Sequence, residues 1–408
     1  MHAVAVLGHG VVGSGVVELI LSRGETLRER TREDIFVKRI LDIRDFSHLS
    51  YAGLFTGKID DILDDPEIEI VVEVMGGLSP AFEYVREALL KGKSVVTSNK
   101  ELVAEKGAQL LGLARERGVK LLFEASVGGG IPLIRTLHQS LVADDLVEIA
   151  GVLNGTTNFI LTRMIQSKMT FEDALCLARE KGFAEADPSA DIEGLDTCRK
   201  ICILASMACG KNVSPQNVKT EGITGVTPKD ALYARSAGYV IKLLGEVRTA
   251  GPGGSRVSVG PALVPEASPL GCVCDEFNAI LIRGKITGDI LISGRGAGKE
   301  PTAGAVIGDI VQCVLDSKAP PTLFWSEEES ELADFSALEE RRYLRIEGKE
   351  AAKAAREAFG GDLSFLPGQD KTVGEEAFLT PPMTEAALCE ALERLKDCRV
   401  LGKIRVRG

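Results

Sequence analysis

The feature that most constrains this chain lies near residue 1, where the apolar run Ala3 to Leu7 ends in Gly8-His9-Gly10-Val11-Val12-Gly13. A continuous apolar run reads as a strand covered on both faces. The glycines permit a tight turn and a close backbone approach to a pyrophosphate. The helix opening after them offers free N–H groups and a favourable dipole. With 44 glycines in the chain, a GxGxxG arises easily by chance, and a glycine-tolerant structural turn is the competing reading. Its place at the first strand–helix junction makes a dinucleotide site the expectation, with Gly8, Gly10 and Gly13 as cofactor-binding candidates.

The first 135 residues continue that rhythm of short apolar runs and helical patterns, the signature of βαβ units. Strands are predicted at 36–43, 68–75, 94–97 and 119–123, and helices from Val11 to about Arg23, at 80–90 and at 101–117. Ser79 before Pro80 predicts a capping hydroxyl followed by a residue whose φ suits the first helical turn. The fold class is α/β, a Rossmann-type doubly wound parallel sheet over 1–134, completed by a helix at 304–317. An α+β domain over 135–303 is expected next, with helices at 155–167 and 170–181 and a long one from about Ile192 to Cys209. Its strand-like runs are 256–264, 278–282 and 289–292. A linker at 318–337 then leads to 338–408, whose βαββαβ order is that of a small ferredoxin-like module.

At the end of the second strand Asp42 could accept the ribose hydroxyls of NAD, while Arg39 or Arg44 could hold the 2′-phosphate of NADP. Both signs of charge are present, so the residues leave the cofactor preference open.

Bulk properties exclude several classes. A net charge of −11 argues against a nucleic-acid partner, because phosphate binding needs a basic face. The run Ile68 to Met75 is broken by Glu69 and Glu73 and is too short for a bilayer, so no membrane segment is expected. No basic region precedes the first strand, and no signal peptide is expected. The 9 cysteines form no paired framework and no metal-binding spacing, which suits free thiols in a reducing cytoplasm.

The acidic stretch AREKGFAEADPSADIEGLDTCRK, from Ala178 to Lys200, carries the chemistry. Asp196 and Lys200 lie four apart on one helical face, while Leu195, Cys198, Cys202 and Ala205 are expected to pack inward. Carbonyl reduction needs a proton donor, and a lysine oriented by a carboxylate can serve. A substrate ammonium would want a carboxylate, and Glu185, Asp187 and Asp191 are at hand. By residue type alone, such a Lys–Asp pair is more commonly a solvated surface ion pair.

The spacing Ala178-x3-Gly182-Phe183-Ala184-x2-Asp187-Pro188-x2-Asp191-Ile192-x-Gly194-x-Asp196-x3-Lys200 resembles the signature of homoserine dehydrogenase. Thr97-Ser98-Asn99-Lys100, the run Glu124 to Pro132, Asn154-Gly155-Thr156-Thr157-Asn158 and Gly294-Arg295-Gly296-Ala297-Gly298 resemble the same family in the same order. The resemblance covers about 1–316. It implies reversible reduction of L-aspartate 4-semialdehyde to L-homoserine with NAD(P)H. It implies Lys200 as the acid/base, and Asp196 and Glu185, with Asp191 beside them, as substrate holders. Lys100 would lie between nicotinamide and substrate, and Val11, Val12, Gly76 and Gly298 would touch the cofactor. It suggests a structural sodium ion held by Glu124 and the carbonyls of Val127, Gly129 and Ile131, and a homodimer through the second domain or a homotetramer. Asn154 and Thr156 also read as ordinary helix caps.

Two departures stand out. Arg44 is followed by Asp45-Phe46-Ser47-His48, with no second strong cation, so NAD use or dual use is as open as NADP use. The C-terminal module resembles an ACT domain, but Glu347-Gly348-Lys349-Glu350 replaces the usual Asp-x-Pro-Gly effector turn. Weak or absent inhibition by threonine is the expectation. A silent NAD-binding sensor and a dehydrogenase for another small hydroxy- or amino-acid are the rival readings.

Overall fold

The computed structural model describes residues 1–249, 254–333, 338–360, 363–368, 373–395 and 397–407. The chain opens with β1 (His2–Leu7), α1 (Val11–Thr31), β2 (Ile35–Leu41), β3 (Phe55–Thr56), α2 (Asp60–Leu63) and β4 (Ile68–Glu73). It continues with α3 (Ala81–Leu90), β5 (Ser94–Thr97), α4 (Lys100–Arg117) and β6 (Leu121–Leu122). The strands form one sheet in the order β3-β2-β1-β4-β5-β6, with every pairing parallel. The winding reverses between β1 and β4, which puts the switch point at the C-terminal end of β1, where Gly8 follows. Val4, Val6, Val72 and Val96 are buried with Val16, Val17 and Ile20 of α1 in one apolar core.

Two local expectations change. Helix α1 does not stop near Arg23 but runs through Gly24 to Thr31, closed by Arg32 at φ 62 with its N–H on Arg28 O. A mid-helix glycine costs about 1 kcal/mol and does not by itself end a helix. The cap expected from Ser79 is not made: Pro80 occupies the cap position of α3, without a side-chain cap bond.

Next come β7 (Leu146–Val152), α5 (Gly155–Gln166), α6 (Phe171–Glu180), α7 (Ser189–Ile192) and α8 (Leu195–Cys209). They are followed by β8 (Lys211–Asn212), β9 (Lys219–Thr220), α9 (Pro228–Ser236), β10 (Tyr239–Thr249), β11 (Ser255–Pro265), β12 (Phe277–Gly284) and β13 (Gly288–Arg295). The single helix predicted from Ile192 is broken at Gly194, whose φ is +83 and whose missing Cβ would lie 3.2 Å from Thr220. Strand β10 escapes a reading by apolar pattern because Lys242 and Glu246, both buried, interrupt it.

The last elements are α10 (Lys299–Leu315), β14 (Ser326–Glu329), β15 (Arg342–Gly348), α11 (Ala351–Phe359), β16 (Ser364–Phe365), β17 (Glu375–Leu379), α12 (Glu385–Arg394) and β18 (Cys398–Val406). Helix α10 returns to the first sheet, where Ala303, Val306 and Ile310 join the core of α1. The βαββαβ strands do not close a sheet of their own. β18 pairs in parallel with β11, giving the order β13-β12-β7-β10-β11-β18-β15-β17-β16. Part of the stretch expected as linker is strand, since β14 pairs with β8; residues 334–337 of that stretch lie outside the described residues.

The chain divides into two compact units: Met1–Asp145, Arg199–Asn217 and Ile292–Ser330 in one, and Leu146–Cys198, Val218–Leu291 and Glu331–Gly408 in the other. In the second, a buried polar cluster ties α9 to the C-terminal strands. Asp230 accepts from Tyr343 Oη at 2.9 Å and from Arg345 Nε at 2.8 Å. A Cβ on Gly402 of β18 would sit 2.6 Å from Asp230 Oδ1, so only glycine lets the strand pass.

Candidate active site

In the first unit, the turn after β1 has the shape its glycines imply. Gly8 takes φ +94, and a Cβ on Gly13 would lie 2.0 Å from Gly8 O, so both positions demand glycine. Gly10 caps α1 in an extended conformation with no side-chain cap bond. A Cβ there would meet nothing within 4 Å, so the helix N-terminus faces open space. Val11, in the first turn, is 68% exposed beside that open end. Val12 is half-buried. These residues fit a dinucleotide pyrophosphate.

Asp42 follows β2 and accepts from the backbone N–H of His9 at 2.8 Å. It also receives Arg44 through Nε at 3.0 Å and Nη2 at 2.8 Å. That guanidinium, followed by desolvation acting against it, holds the Asp42 carboxyl far below its usual range. Arg44 also lies 5.1 Å from the Phe46 ring centre, in cation–π range. The acid and the base that the sequence offered as alternatives are thus paired with each other. Arg39 points elsewhere, donating to the Lys38 carbonyl at 3.0 Å.

At the ends of β4 and β5 lies a group that the sequence reading used only as a break in an apolar run. Glu73 is 0% exposed. Its Oε1 accepts from the N–H of Met75 at 2.8 Å and of Gly76 at 3.3 Å, and its Oε2 accepts from Thr97 Oγ1 at 2.6 Å. Burial pushes its pKa up, against these hydrogen bonds. Asn99 reaches the same carboxylate at 3.5 Å, donates to Gly77 O at 2.7 Å and caps α4 by accepting from Leu102 N. Lys100 is the first residue of that helix, and the next residue, Glu101, pairs with Arg199 at 2.8 Å. Gly76 and Gly77 have φ of +80 and +72, so this loop, too, requires glycine. Gly298, at φ +119, caps α10.

In the second unit, Asn154 caps α5 through Oδ1, which accepts from Thr157 N at 2.9 Å. Its Nδ2 donates to Asp191 at 2.7 Å and to Asp196 at 2.9 Å. One amide thus brings both candidate aspartates together, a role beyond the cap read from the sequence. Glu185 is exposed in the loop before α7. Asp187 is exposed and occupied locally by Ser189 N and Oγ.

The expected helix face is corrected. Leu195 is 43% exposed, whereas Asp196 and Lys200, one turn apart on α8, are 3% and 8% exposed. Cys198, Cys202 and Ala205 are buried as expected. Because α8 is covered on most sides, the pair is not a solvated surface pair, and a lysine so placed is a functional candidate.

The Glu124 carboxylate is anchored by the backbone that follows it. It accepts backbone N–H groups of Leu133 at 2.5 Å, Ile134 at 2.8 Å and Arg135 at 2.9 Å. The loop's own backbone bonds run through Phe123 O and Gly128 O and leave the carbonyls of Val127, Gly129 and Ile131 outside that set. Among the described residues no group of three or more His, Cys, Asp or Glu could hold a metal. No helix among them is long and apolar enough to cross a membrane.

A parallel sheet with a glycine-lined, open helix N-terminus at its switch point defines a dinucleotide-binding protein. A family model described as the NAD binding domain of homoserine dehydrogenase matches residues 8–124, and one described as homoserine dehydrogenase matches 132–311. The homoserine dehydrogenase of Bacillus subtilis (strain 168) is 36% identical over 98% of this chain and 96% of its own length. That of Mycobacterium leprae (strain TN) is 38% identical over 98% and 95%. Among solved structures, the Thiobacillus denitrificans homoserine dehydrogenase aligns with TM-score 0.91 at 35% identity, covering 100% of this chain and 98% of that one. A hyperthermophilic archaeal homoserine dehydrogenase mutant in complex with NADPH aligns with TM-score 0.66 at 29% identity, over 77% and 98%. The chain belongs to the homoserine dehydrogenase family, whose members are NAD(P)-dependent oxidoreductases.

Proposed function

We propose that Lys200 is the acid/base of the reaction, giving a proton to the aldehyde oxygen of L-aspartate 4-semialdehyde and taking it back from L-homoserine. The hydride is supplied or accepted by the nicotinamide cofactor when bound. Asp196 orients Lys200 and, with Asp191, faces the substrate, both aspartates being fixed by the Asn154 amide. Glu185 brings negative charge to the substrate ammonium from an exposed loop, and Lys100, at the start of α4, shares the proton work. The cofactor is held by Gly8, Gly10, Val11, Val12, Gly13, Gly76 and Gly298. Asp42 and Arg44 stand together at the ribose, and NAD is accepted alongside NADP.

The observation that carries this reading is the burial of Asp196 and Lys200 together on one helix. A buried lysine beside a carboxylate is what proton transfer requires and what a solvated surface pair does not provide. A sodium ion held by Glu124 and the carbonyls of Val127, Gly129 and Ile131 is proposed as structural only. The working form is proposed as a cytoplasmic homodimer or homotetramer assembled through the second unit. The C-terminal strands serve packing, with no threonine site.

The test follows NAD(P)H absorbance with homoserine for wild type and Lys200→Ala, using both cofactors with and without threonine. Loss of an acid/base group lowers turnover by about 10²–10⁴. Near-normal turnover in Lys200→Ala ends the assignment, and strong threonine inhibition ends the packing-only role.

A further inference from the structure

One buried carboxylate joins two loops that the proposed function uses separately. β4 ends at Glu73, and the loop after it carries Gly76 and Gly77. β5 ends at Thr97, and the turn after it carries Asn99 and then Lys100 at the start of α4. Left to themselves, two such loops at the C-terminal ends of neighbouring strands would each sample several conformations.

Here both converge on Glu73. Oε1 takes the amides of Met75 and Gly76, which curls the first loop back over its own strand. Oε2 takes the Thr97 hydroxyl, whose oxygen also accepts the Asn99 N–H at 2.9 Å and so shapes the second turn. Asn99 completes the ring by contacting Oε1 and donating to Gly77 O. A backbone bond from Ser98 N to Glu73 O at 3.3 Å runs alongside.

We infer that Glu73 is a positioning residue for the reaction. Its carboxylate fixes the Gly76 backbone against the cofactor and sets the start of the helix that presents Lys100. The inference rests on the reading of Gly76 and Lys100 as cofactor-side groups. A carboxylate does this where an apolar residue cannot, because it accepts from several donors at once on two loops. An acid that is 0% exposed and answered by amides and a hydroxyl is costly to bury, and the cost is offset only if every lone pair is used. Misplacing a reacting group by about 1 Å lowers rates on the order of 10²-fold.

The experiment compares wild type with Glu73→Gln, Glu73→Ala and Thr97→Val. It measures thermal melting, NADPH and NADH dissociation constants by cofactor fluorescence, and steady-state kcat and KM for cofactor and homoserine. Glu73→Gln keeps one acceptor oxygen for the Met75 and Gly76 amides but turns its NH2 toward Thr97. It should melt near wild type, weaken cofactor binding and turnover on the order of tenfold each, and leave KM for homoserine within twofold. Glu73→Ala should lose more on both cofactor measures, so that glutamine is a partial rescue. Thr97→Val, which removes one arm while leaving the carboxylate, should fall between wild type and Glu73→Gln.

A folded Glu73→Gln with wild-type cofactor binding and turnover overturns the inference. So does a loss spread equally over cofactor and homoserine constants, which is what a general structural defect produces. If neither Glu73 variant folds, normal constants in Thr97→Val overturn it instead. Gly76→Ala and Lys100→Met run in parallel: if these leave the kinetics untouched, the reading of the cofactor side has failed, whatever Glu73 does.

Discussion

The two large sheets of this molecule are built on opposite principles. The parallel sheet of the first unit buries aliphatic residues almost without exception, and its polar groups sit at the strand ends where the loops begin. The long mixed sheet of the second unit carries charge inside its strands. Lys242 donates to Asn158 Oδ1 at 3.0 Å, and Glu148 holds Arg248 at 2.8 Å and Arg407 at 3.1 Å. Glu246 pairs with Arg405 and Arg407, and Asp230 with Arg345. Aliphatic packing stabilises without specifying partners, since it is non-directional. A buried ion pair contributes little net stability but is severely destabilised when one member is lost. The first sheet tolerates drift in sequence, whereas the second makes the addition of β15, β17 and β18 dependent on particular residues.

The contrast is easiest to break at Asp230. Asp230→Ala leaves Arg345 buried beside an unanswered hydroxyl, Tyr343, and should cost about 3–5 kcal/mol. Calorimetry should show the melting of the second unit move while that of the first stays. A uniform shift of both transitions would remove the distinction drawn above.

A pH effect of about 4 kcal/mol should appear in the first unit, from the raised carboxyl of Asp309. Burial, with Glu124 adding to it, pushes Asp309 up to about 7, while the Glu124 N–H and Arg135 act against the shift. The folded state therefore keeps that proton between pH ~4 and pH ~7, where the unfolded chain has released it. The stabilisation is complete below ~4 and disappears as pH rises through 7. Melting temperature should fall across that window in wild type, and Asp309→Asn should flatten the slope; an unchanged slope assigns it to other groups.

The smallest effect belongs to the aliphatic sheet. Ile70→Val in β4 removes one buried methylene and should cost about 0.5–1.5 kcal/mol, read as a modest shift in the urea midpoint. A loss as large as that of Asp230→Ala would mean that the parallel sheet, too, depends on individual residues.

Much of the first unit was legible because its signals are local. An apolar run, a glycine turn and a helical pattern each announce themselves within a dozen residues, and β1, α4 and β5 fall where expected. The second sheet was not, because Lys242 and Glu246 spoil the pattern of β10 and because the partner of β18 lies far away along the chain. For the site, spacing gave Asp196 and Lys200 but could not tell whether their helix face was wet or dry. The burial of α8 supplies that answer. Glu73 looked like an interruption and Asn154 like a cap, since a single sequence does not report which loops meet at a side chain. The three N–H donors that hold Glu124 lie 9–11 residues on, in backbone that carries no residue-type signal, so nothing in the sequence pointed to them.

The parallel seam between β11 and β18 has a consequence for how this chain comes into being. As a ribosome extends the chain, every strand of the first sheet is available once residue 122 has emerged, and that sheet can form while synthesis continues. β11 is complete by Pro265 and β9 pairs with it only at Ser258 and Val259, yet the strand that pairs at Ala262 and Leu263 is not made until residues 398–406. For the intervening stretch of translation the aliphatic end of that strand edge waits unpaired, open to pairing with the nascent chain next to it. Slowing translation within that interval should therefore raise aggregation of this protein far more than slowing it within the first hundred residues.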